Sequence, residues 1–284
     1  MKIDINTKMI TLLGKPLGQS FAARMQNAGY EAAGLNMLYF YTEVDKDHLG
    51  DVVNGLRYMN FAGFAVTKPN KVRVLRYLDE LDPLCKKMGA SNTVVKTPEG
   101  KLIGYNTDGV GFYTSLVEEG KINVEESTFF CFGAGGAGRA MCSVLAYHGA
   151  KKIYITDFYE PCAESLVMDI NENFAPVAEL VHHGDYAKIA ECNVVMNASG
   201  IGMGSTIGQT PMPVEHIQPG QFYFDACYNP DKTQFLLNAE EKGCQVLNGL
   251  GMSLYQGAAQ IELWTGEKAP VEAMRKELMD ILAE

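Results

Sequence analysis

The sequence lacks any pattern of cysteines that would form a disulfide framework or hold a zinc ion. Its 7 cysteines are odd in number and scattered, and no two of them stand in C-x-x-C spacing. Cys131 lies within the apolar run 129–132, where a reduced thiol behaves as a small buried hydrophobic side chain. We therefore expect no metal site, and we expect the protein in a reducing cytoplasm.

Long apolar runs and an excess of positive charge are also missing. No window approaches the roughly 18 continuous apolar residues that a membrane span needs, and the first residues carry no apolar stretch typical of a secretion signal. Lys and Arg number 24 against 34 Asp and Glu, which gives a formal net charge of −10. Because this charge repels phosphate backbones and anionic lipids, we expect neither nucleic acid nor a membrane as partner.

Internal repeats, low-complexity tracts and long linkers are absent as well, so domain boundaries have to come from motifs. The chain of 284 residues is about twice the length of a typical single domain, which favours two domains over one large α/β barrel. Short apolar runs alternate with helix-length amphipathic stretches, a pattern typical of βαβ units and a parallel sheet. The fold class predicted is therefore α/β in two domains.

The alternation places each expected strand and helix. The expected strands are 9–13, 38–43, 63–66, 93–95, 128–132, 153–156, 194–197 and 223–226. The expected helices are 22–33, 46–59, 108–119, 136–148, 163–173, 233–242 and 253–265. The boundary between the domains is expected near 106–109, where a strand pattern ends and a helix leads into a second α/β unit.

A glycine-rich motif directly follows the expected strand 128–132 and opens a helix. Its residues are Gly133, Ala134, Gly135, Gly136, Ala137 and Gly138. In this context the first glycine permits a tight turn, the second lets a pyrophosphate approach the backbone, and the third allows close packing of helix on strand. The pattern predicts a Rossmann-type dinucleotide domain, with an ordinary glycine-rich turn as the alternative.

Asp157 ends the next expected strand, 24 positions after Gly133, close to the spacing of about 20 at which dinucleotide domains bind ribose. A carboxylate there accepts hydrogen bonds from the ribose hydroxyls and repels a 2′-phosphate. The segment 158–163 offers no Lys or Arg. The pattern favours NAD, with NADP as the second choice; the alternative is an aspartate that merely caps the helix starting near Pro161.

Three polar loops in the first half follow expected strands, at the edge where open α/β sheets place their sites. They are 18–22, 66–71, and Asn92 together with 106–109. Transfer of a hydride between an alcohol and a ketone needs a group that takes or gives the hydroxyl proton, and none of the 5 histidines falls on these loops. The remaining candidate for this proton exchange is a lysine held near a carboxylate. The three loops place it in an N-terminal α/β domain, which is expected to bind the substrate.

A series of further motifs runs in one order along the sequence: 14–20, 64–71, 89–94, 106–109, the glycine-rich motif, 228–230, 248–252 and 255–258. Through these motifs the chain resembles the shikimate/quinate dehydrogenase family, from about residue 12 to residue 265. The resemblance implies an NAD(P)-dependent oxidoreductase that acts on a CH–OH group and interconverts shikimate and 3-dehydroshikimate, in the shikimate pathway of aromatic amino acid biosynthesis. Because substrate motifs recur after 248, it also implies domains of 1–108, 109–248, and 249–284 returning to the first.

The resemblance also implies roles for individual residues. Lys71 exchanges the proton of the ring hydroxyl, and Asp108 orients Lys71 and contacts substrate. The substrate carboxylate is assigned to Ser20 and Tyr228, and the ring hydroxyls to Thr67, Asn92 and Gln256. Further cofactor contacts are assigned to Asn197, Gly249 and Met252.

Several positions depart from the family pattern: Ala22 in place of a serine, Ala65 in place of an asparagine, the extra Lys68, and Asp157 without a following arginine. Lys68 has two interpretations, a charge near the substrate carboxylate or a solvated side chain. Together the departures favour an NAD-linked member that also accepts quinate. The alternatives are a quinate-dedicated NAD dehydrogenase and a non-catalytic sensor of dinucleotide and cyclitol acid, and both monomer and homodimer stay open.

Overall fold

The structure is a computed structural model that describes residues 3–18 and 20–284. Gln19, in the first polar loop, therefore lies outside the described residues. The strands are β1 Lys8–Gly14, β2 Met37–Glu43, β3 Phe61–Val66, β4 Glu80–Leu81, β5 Thr93–Lys96, β6 Leu102–Tyr105, β7 Thr128–Phe132, β8 Lys152–Thr156, β9 Ala178–Leu180, β10 Val194–Asn197, β11 Phe222–Asp225 and β12 Gln245–Asn248. The α-helices are α1 Ala22–Ala32, α2 Leu49–Tyr58, α3 Pro83–Met88, α4 Thr107–Glu118, α5 Gly136–Tyr147, α6 Glu160–Asn173, α7 Gln234–Glu241, α8 Leu250–Thr265 and α9 Val271–Leu282.

The chain forms two compact units, and the first is discontinuous. Unit 1 comprises Met1–Val110 and Leu254–Glu284, and unit 2 comprises Gly111–Ser253. The boundaries expected from sequence, after 108 and after 248, lie two and five residues earlier (108 against 110, 248 against 253). They differ because both divisions fall inside helices, α4 and α8, which no break in the sequence pattern marks.

The sheet of unit 1 is mixed, with the strand order β2-β1-β3-β5-β6-β4. Strand β1 pairs in parallel with β2 and β3, but β5 runs antiparallel to both β3 and β6. The expectation of a parallel sheet was therefore wrong for this part. For the β5–β6 pair the cause is the short connection, turned at Gly100 with φ +85°, because only a long crossover can join parallel neighbours.

Helix α8 lies against the sheet of unit 1 through Trp264. Its indole Nε1 donates a hydrogen bond of 3.0 Å to the carbonyl oxygen of Val94 in β5. A Cβ on Gly63, in the neighbouring strand β3, would lie 2.6 Å from that nitrogen, so only glycine leaves room for the indole. On one side of the same sheet a core of Leu13, Phe64 and their neighbours is sealed from water.

Unit 2 has an entirely parallel sheet in the order β12-β11-β10-β7-β8-β9. Numbered within the unit this is the order 3-2-1-4-5-6 of doubly wound dinucleotide folds, with the switch point between β7 and β10. The predicted Rossmann-type domain is confirmed. Its core includes Phe130, Val195 and Tyr223, each from a different strand. No helix in the described part of the chain is long and apolar enough to cross a membrane.

Candidate active site

Lys71 and Asp108 form an ion pair in unit 1. The Nζ of Lys71 donates to Oδ2 of Asp108 at 2.6 Å, and the side chains are 31% and 18% exposed, so the pair is sheltered yet open to a ligand. Asp108 stands in the first turn of α4, where the helix dipole favours a carboxylate. Lys71 follows the fully buried Asn70, whose amide Nδ2 donates to the carbonyl of Val44 at 3.0 Å. The loop after β3 is thereby fixed beside the start of α4.

Asn92 holds the second oxygen of Asp108. Its Nδ2 donates to Oδ1 of Asp108 at 2.9 Å, while its Oδ1 accepts the backbone N–H of Thr107 at 2.7 Å. Since a backbone N–H can only donate, this second bond decides which end of the Asn92 amide faces Asp108. The carboxylate therefore has a charged and a neutral donor, one on each oxygen, and its orientation is set before any ligand arrives.

The loop of Ser20 is held by a tyrosine that no motif in the sequence marks. The hydroxyl of Tyr41, in β2, donates to the backbone oxygen of Ser20 at 2.6 Å and accepts the N–H of Ala23 at 2.9 Å. Ser20 Oγ accepts the N–H of Ala22 at 3.4 Å. Ala22 is the first residue of α1. The serine that the family pattern has at this position would offer a hydroxyl donor there, and alanine does not.

The remaining residues assigned to the substrate lie in both units. In unit 1, Thr67 follows β3 half-buried, and Gln256 is half-buried on α8. Lys68 is exposed and makes no ion pair within residues 3–18 and 20–284, in keeping with the solvated interpretation. In unit 2, Tyr228 follows β11, where burial raises the pKa of its hydroxyl to about 12. At neutral pH the Tyr228 hydroxyl is thus a protonated, neutral donor.

The glycine-rich motif joins β7 to α5 in unit 2 with the geometry that the pattern predicted. Gly133 has φ +100°, in the left-handed region that favours glycine. A Cβ on Gly138 would lie 1.9 Å from the carbonyl oxygen of Gly133, so α5 approaches the turn as closely as its backbone permits. A Cβ on Gly135 would meet nothing within 4 Å, and no side chain caps the N-terminus of α5. Open space beside uncapped N–H groups fits a pyrophosphate.

Asp157 ties the end of β8 to this motif. One carboxylate oxygen accepts the N–H of Ala134 at 2.7 Å, and the other accepts the N–H of Tyr159 at 2.9 Å. The cap residue of α6 is Tyr159, so the helix-cap interpretation of Asp157 does not hold. Asp157 instead faces a cleft of about 300 Å³. The cleft is lined by Phe132, Gly133, Gly135, Thr156, Asp157, Phe158, His183, Ala198, Ser199, Ile201 and Pro211.

Three residues assigned to the cofactor have mainly internal contacts. Asn197 is fully buried; its Nδ2 donates to both oxygens of Asp225 at 3.1 Å and to the carbonyl of Ile201. It therefore shapes the loop 198–201, of which Ala198, Ser199 and Ile201 line the cleft. Position 249 requires glycine, because a Cβ there would lie 2.1 Å from the carbonyl oxygen of Ala226. Met252 lies half-buried in the first turn of α8.

Burial raises the pKa of Asp225, the partner of Asn197, while bonds from Thr233 and Cys227 act in the opposite direction. This buried carboxylate was not predicted, because a single Asp at the end of an apolar strand carries no distinctive pattern. No group of three or more His, Cys, Asp and Glu side chains within 3–18 and 20–284 is placed to hold a metal ion. The Asp225 carboxylate thus receives its hydrogen bonds from Asn197, Thr233 and the backbone N–H of Cys227.

A Rossmann-type unit and a lysine–carboxylate pair are the two parts of a dinucleotide-dependent oxidoreductase. The family model described as the shikimate dehydrogenase substrate binding domain matches residues 12–94, and the one described as the shikimate 5′-dehydrogenase C-terminal domain matches residues 249–279. Shikimate dehydrogenase (NADP(+)) of Desulforamulus reducens is 40% identical over 281 residues, 98% of this chain and 96% of that protein. The chain belongs to the shikimate dehydrogenase family, whose members are oxidoreductases acting on a CH–OH group.

Two solved structures carry the comparison further. Shikimate 5-dehydrogenase from Listeria monocytogenes, in complex with shikimate and NAD, has a TM-score of 0.93 and 37% identity, covering 97% of this chain and 98% of that one. Quinate dehydrogenase from Corynebacterium glutamicum, in complex with NAD, has a TM-score of 0.90 and 28% identity, covering 96% and 99%. The family thus includes proteins described with either cofactor and with either acid.

Proposed function

We propose that this protein is a shikimate dehydrogenase that interconverts shikimate and 3-dehydroshikimate, prefers NAD to NADP, and also accepts quinate. The observation that carries the proposal is the Lys71–Asp108 pair at 2.6 Å, on the family's own motifs. The free thiols of the described cysteines support a reducing, cytoplasmic setting.

The geometry of the pair suits proton exchange at a ring hydroxyl. The Lys71 ammonium carries three hydrogens, and its bond to Asp108 uses one of them. In the reductive direction one of the other two passes to the carbonyl oxygen at the reacting carbon, which becomes the hydroxyl. In the oxidative direction Lys71 enters as the neutral amine, and its lone pair accepts the hydroxyl proton. Asp108 keeps Lys71 in place. The nicotinamide cofactor, when bound, supplies the acceptor or donor of the hydride.

The substrate contacts proposed for the other residues follow from their chemistry. Thr67, Asn92 and Gln256 offer neutral hydroxyl and amide groups, which suit the hydroxyls of a cyclohexene acid. Ser20 and Tyr228 offer hydroxyl donors to the carboxylate. A donor or acceptor left unpaired in a closed pocket costs roughly 1–3 kcal/mol, so such contacts discriminate between acids that differ by one hydroxyl. With alanine at position 22, the site has room for the additional C1 hydroxyl of quinate.

NAD preference is supported by the charges around the cleft of unit 2. Asp157 lines it, and none of the described lining residues is Lys or Arg. A 2′-phosphate would meet a carboxylate without a compensating cation. Gly133, Gly135 and Gly138, with the N-terminus of α5, are the residues proposed to hold the pyrophosphate.

The reduction of each cofactor, followed by absorbance with shikimate and with quinate, tests this function. We expect the fastest reduction with NAD and shikimate and slower but measurable reduction with NAD and quinate. A preference for NADP would overturn the cofactor assignment. NADH binding without turnover of either acid would favour the non-catalytic sensor, and turnover of quinate alone would favour a quinate-dedicated enzyme.

Asp157→Asn is expected to lower the NAD over NADP selectivity in kcat/KM by at least about tenfold, because juxtaposed like charges cost a few kcal/mol and tenfold corresponds to about 1.4 kcal/mol. Steady-state kinetics with both cofactors measure the ratio. Asp185→Asn is the matched control, since Asp185 also accepts a backbone N–H, from Ala187 at 2.9 Å, but does not line the cleft. An equal change in both variants would show that only overall charge matters.

A further inference from the structure

A continuous chain of hydrogen-bonded side chains leads from the catalytic pair into the interior of unit 1. Beyond Asn92 it continues through Thr93 and Gln260 and ends at Gln26 on α1. The last three are 0%, 3% and 0% exposed, so water does not reach them. Polar side chains that deep in a core hold a defined arrangement only when they bond to one another.

The donors and acceptors of this chain all point in one direction, and a backbone carbonyl fixes that direction. The carbonyl of Gly257 can only accept, so the Nε2 end of Gln26 faces it, at 3.1 Å. The same Nε2 donates to Oε1 of Gln260 at 3.0 Å. The Nε2 of Gln260 is thereby turned toward Thr93, and it donates to Oγ1 at 2.9 Å.

Thr93 transmits this order to Asn92. Because its Oγ1 accepts from Gln260, the Thr93 hydroxyl hydrogen points away, toward Oδ1 of Asn92 or Oγ1 of Thr107, each at 3.0 Å. Bonds that arrive at Oδ1 of Asn92 leave its Nδ2 facing Asp108. A hydrogen bond from Gln260 thus reinforces, two side chains away, the Asn92 orientation that the N–H of Thr107 also requires and that the catalytic carboxylate needs.

Anchoring of α8 alone does not account for a buried glutamine at position 260. Trp264, one helical turn further on, already bonds β5 through Val94. The hydrogen-bonded series from Asn92 to Gln26 also leaves Oε1 of Gln26 buried without a hydrogen-bond partner among the described atoms, which costs stability. An apolar side chain at position 26 would avoid that cost.

We infer that Thr93 and Gln260 are positioning residues for the reaction: they hold Asn92, and through it Asp108 and Lys71, in the arrangement that reacts. This inference rests on the proposed shikimate dehydrogenase function. Neither residue needs to touch substrate, and Asn92, which they hold, is only one of the three residues proposed to bind the ring hydroxyls, so their loss acts on turnover more than on substrate binding.

The test compares Thr93→Val, which removes the hydroxyl at constant shape, with Thr93→Ser, which keeps it. We expect Thr93→Val to lower kcat for shikimate by about 5- to 20-fold with KM within about twofold of the unsubstituted enzyme, and Thr93→Ser to stay within about twofold in both. Thr11→Val is the matched control. Thr11 is 1% exposed in the same sheet, and its hydroxyl pairs with that of Thr42 at 2.7 Å, apart from the chain to Asp108. It should lose stability and keep kcat.

Gln260→Met, which keeps the volume, tests the route of the effect and also serves if Thr93→Val does not fold. We expect a loss in kcat of about threefold that adds nothing to Thr93→Val in the double variant, since Gln260 acts through Thr93. Equal kcat in Thr93→Val and Thr11→Val, an equal loss in Thr93→Ser, or an additive double variant would overturn the inference. An unsubstituted enzyme inactive on both acids would instead overturn the proposed function.

Discussion

Lys71→Ala is expected to lower turnover of shikimate by about 10²- to 10⁴-fold, the range that a positioned acid–base group contributes. The pair then loses the member that carries exchangeable hydrogens, and Asp108, an acceptor when ionised, cannot replace it. Folding should survive, because the pair is partly exposed and Asp108 keeps its bond from Asn92. Steady-state kinetics give kcat, and NADH fluorescence gives cofactor affinity, which we expect within about twofold of the unsubstituted protein.

Lys86→Ala is the control for this experiment, since it removes an exposed lysine of α3 in the same unit. We expect it to keep both turnover and NADH affinity. Unchanged turnover in Lys71→Ala would remove Lys71 from the mechanism. A loss of NADH binding as large as the loss of turnover would show that the substitution disturbs more than proton exchange.

Gly138→Ala has the second large expected effect, a combined loss of stability and cofactor binding. The new Cβ would lie 1.9 Å from the carbonyl oxygen of Gly133, a backbone atom, so the turn must move. Overpacking of this kind costs about 1–3 kcal/mol, and the same movement displaces the N–H groups proposed to bind the pyrophosphate. We expect a lower Tm and an NADH Kd raised by at least about tenfold.

Gly135→Ala separates these two effects. Its Cβ would meet no protein atom within 4 Å, and the φ of −71° at this position suits alanine. We expect an unchanged or slightly higher Tm, together with loss of NADH affinity because the methyl group occupies the space proposed for the phosphates. Full NADH affinity in Gly135→Ala would mean that the pyrophosphate lies elsewhere, and an unchanged Tm in Gly138→Ala would contradict the close packing.

Two strands that are buried on both faces were predicted to the residue. Strands β7 and β10 coincide with the expected runs 128–132 and 194–197, because a parallel strand covered on both sides is continuously apolar. Strands β4, β6, β9 and β12 were missed. They have two to four residues, and three of them, β4, β9 and β12, lie at sheet edges, where one side needs no apolar cover. The antiparallel pairing of β5 with β6 was missed because it depends on the length of the loop between them.

The site was predictable where chemistry lies in contiguous motifs. Lys71 and Asp108, from two separate motifs, meet in an ion pair, and the glycine-rich turn has the backbone that its spacing indicated. The chain from Gln260 to Thr93 was not predictable, since 167 positions separate the two residues. Only the spacing of four between Gln256 and Gln260 on one helix hinted that both glutamines face the same unit.

The discontinuity of unit 1 has a consequence for how the protein is made. Unit 2 is one uninterrupted segment and can fold while the ribosome is still adding residues, whereas unit 1 lacks Gln260 and Trp264 until the last part of the chain emerges. At about 5–20 residues per second, roughly 8–30 s separate the synthesis of Val110 from that of Trp264. During that interval the sheet beside the nascent catalytic pair is uncovered at β5, so chaperone capture during translation should concentrate on the N-terminal segment.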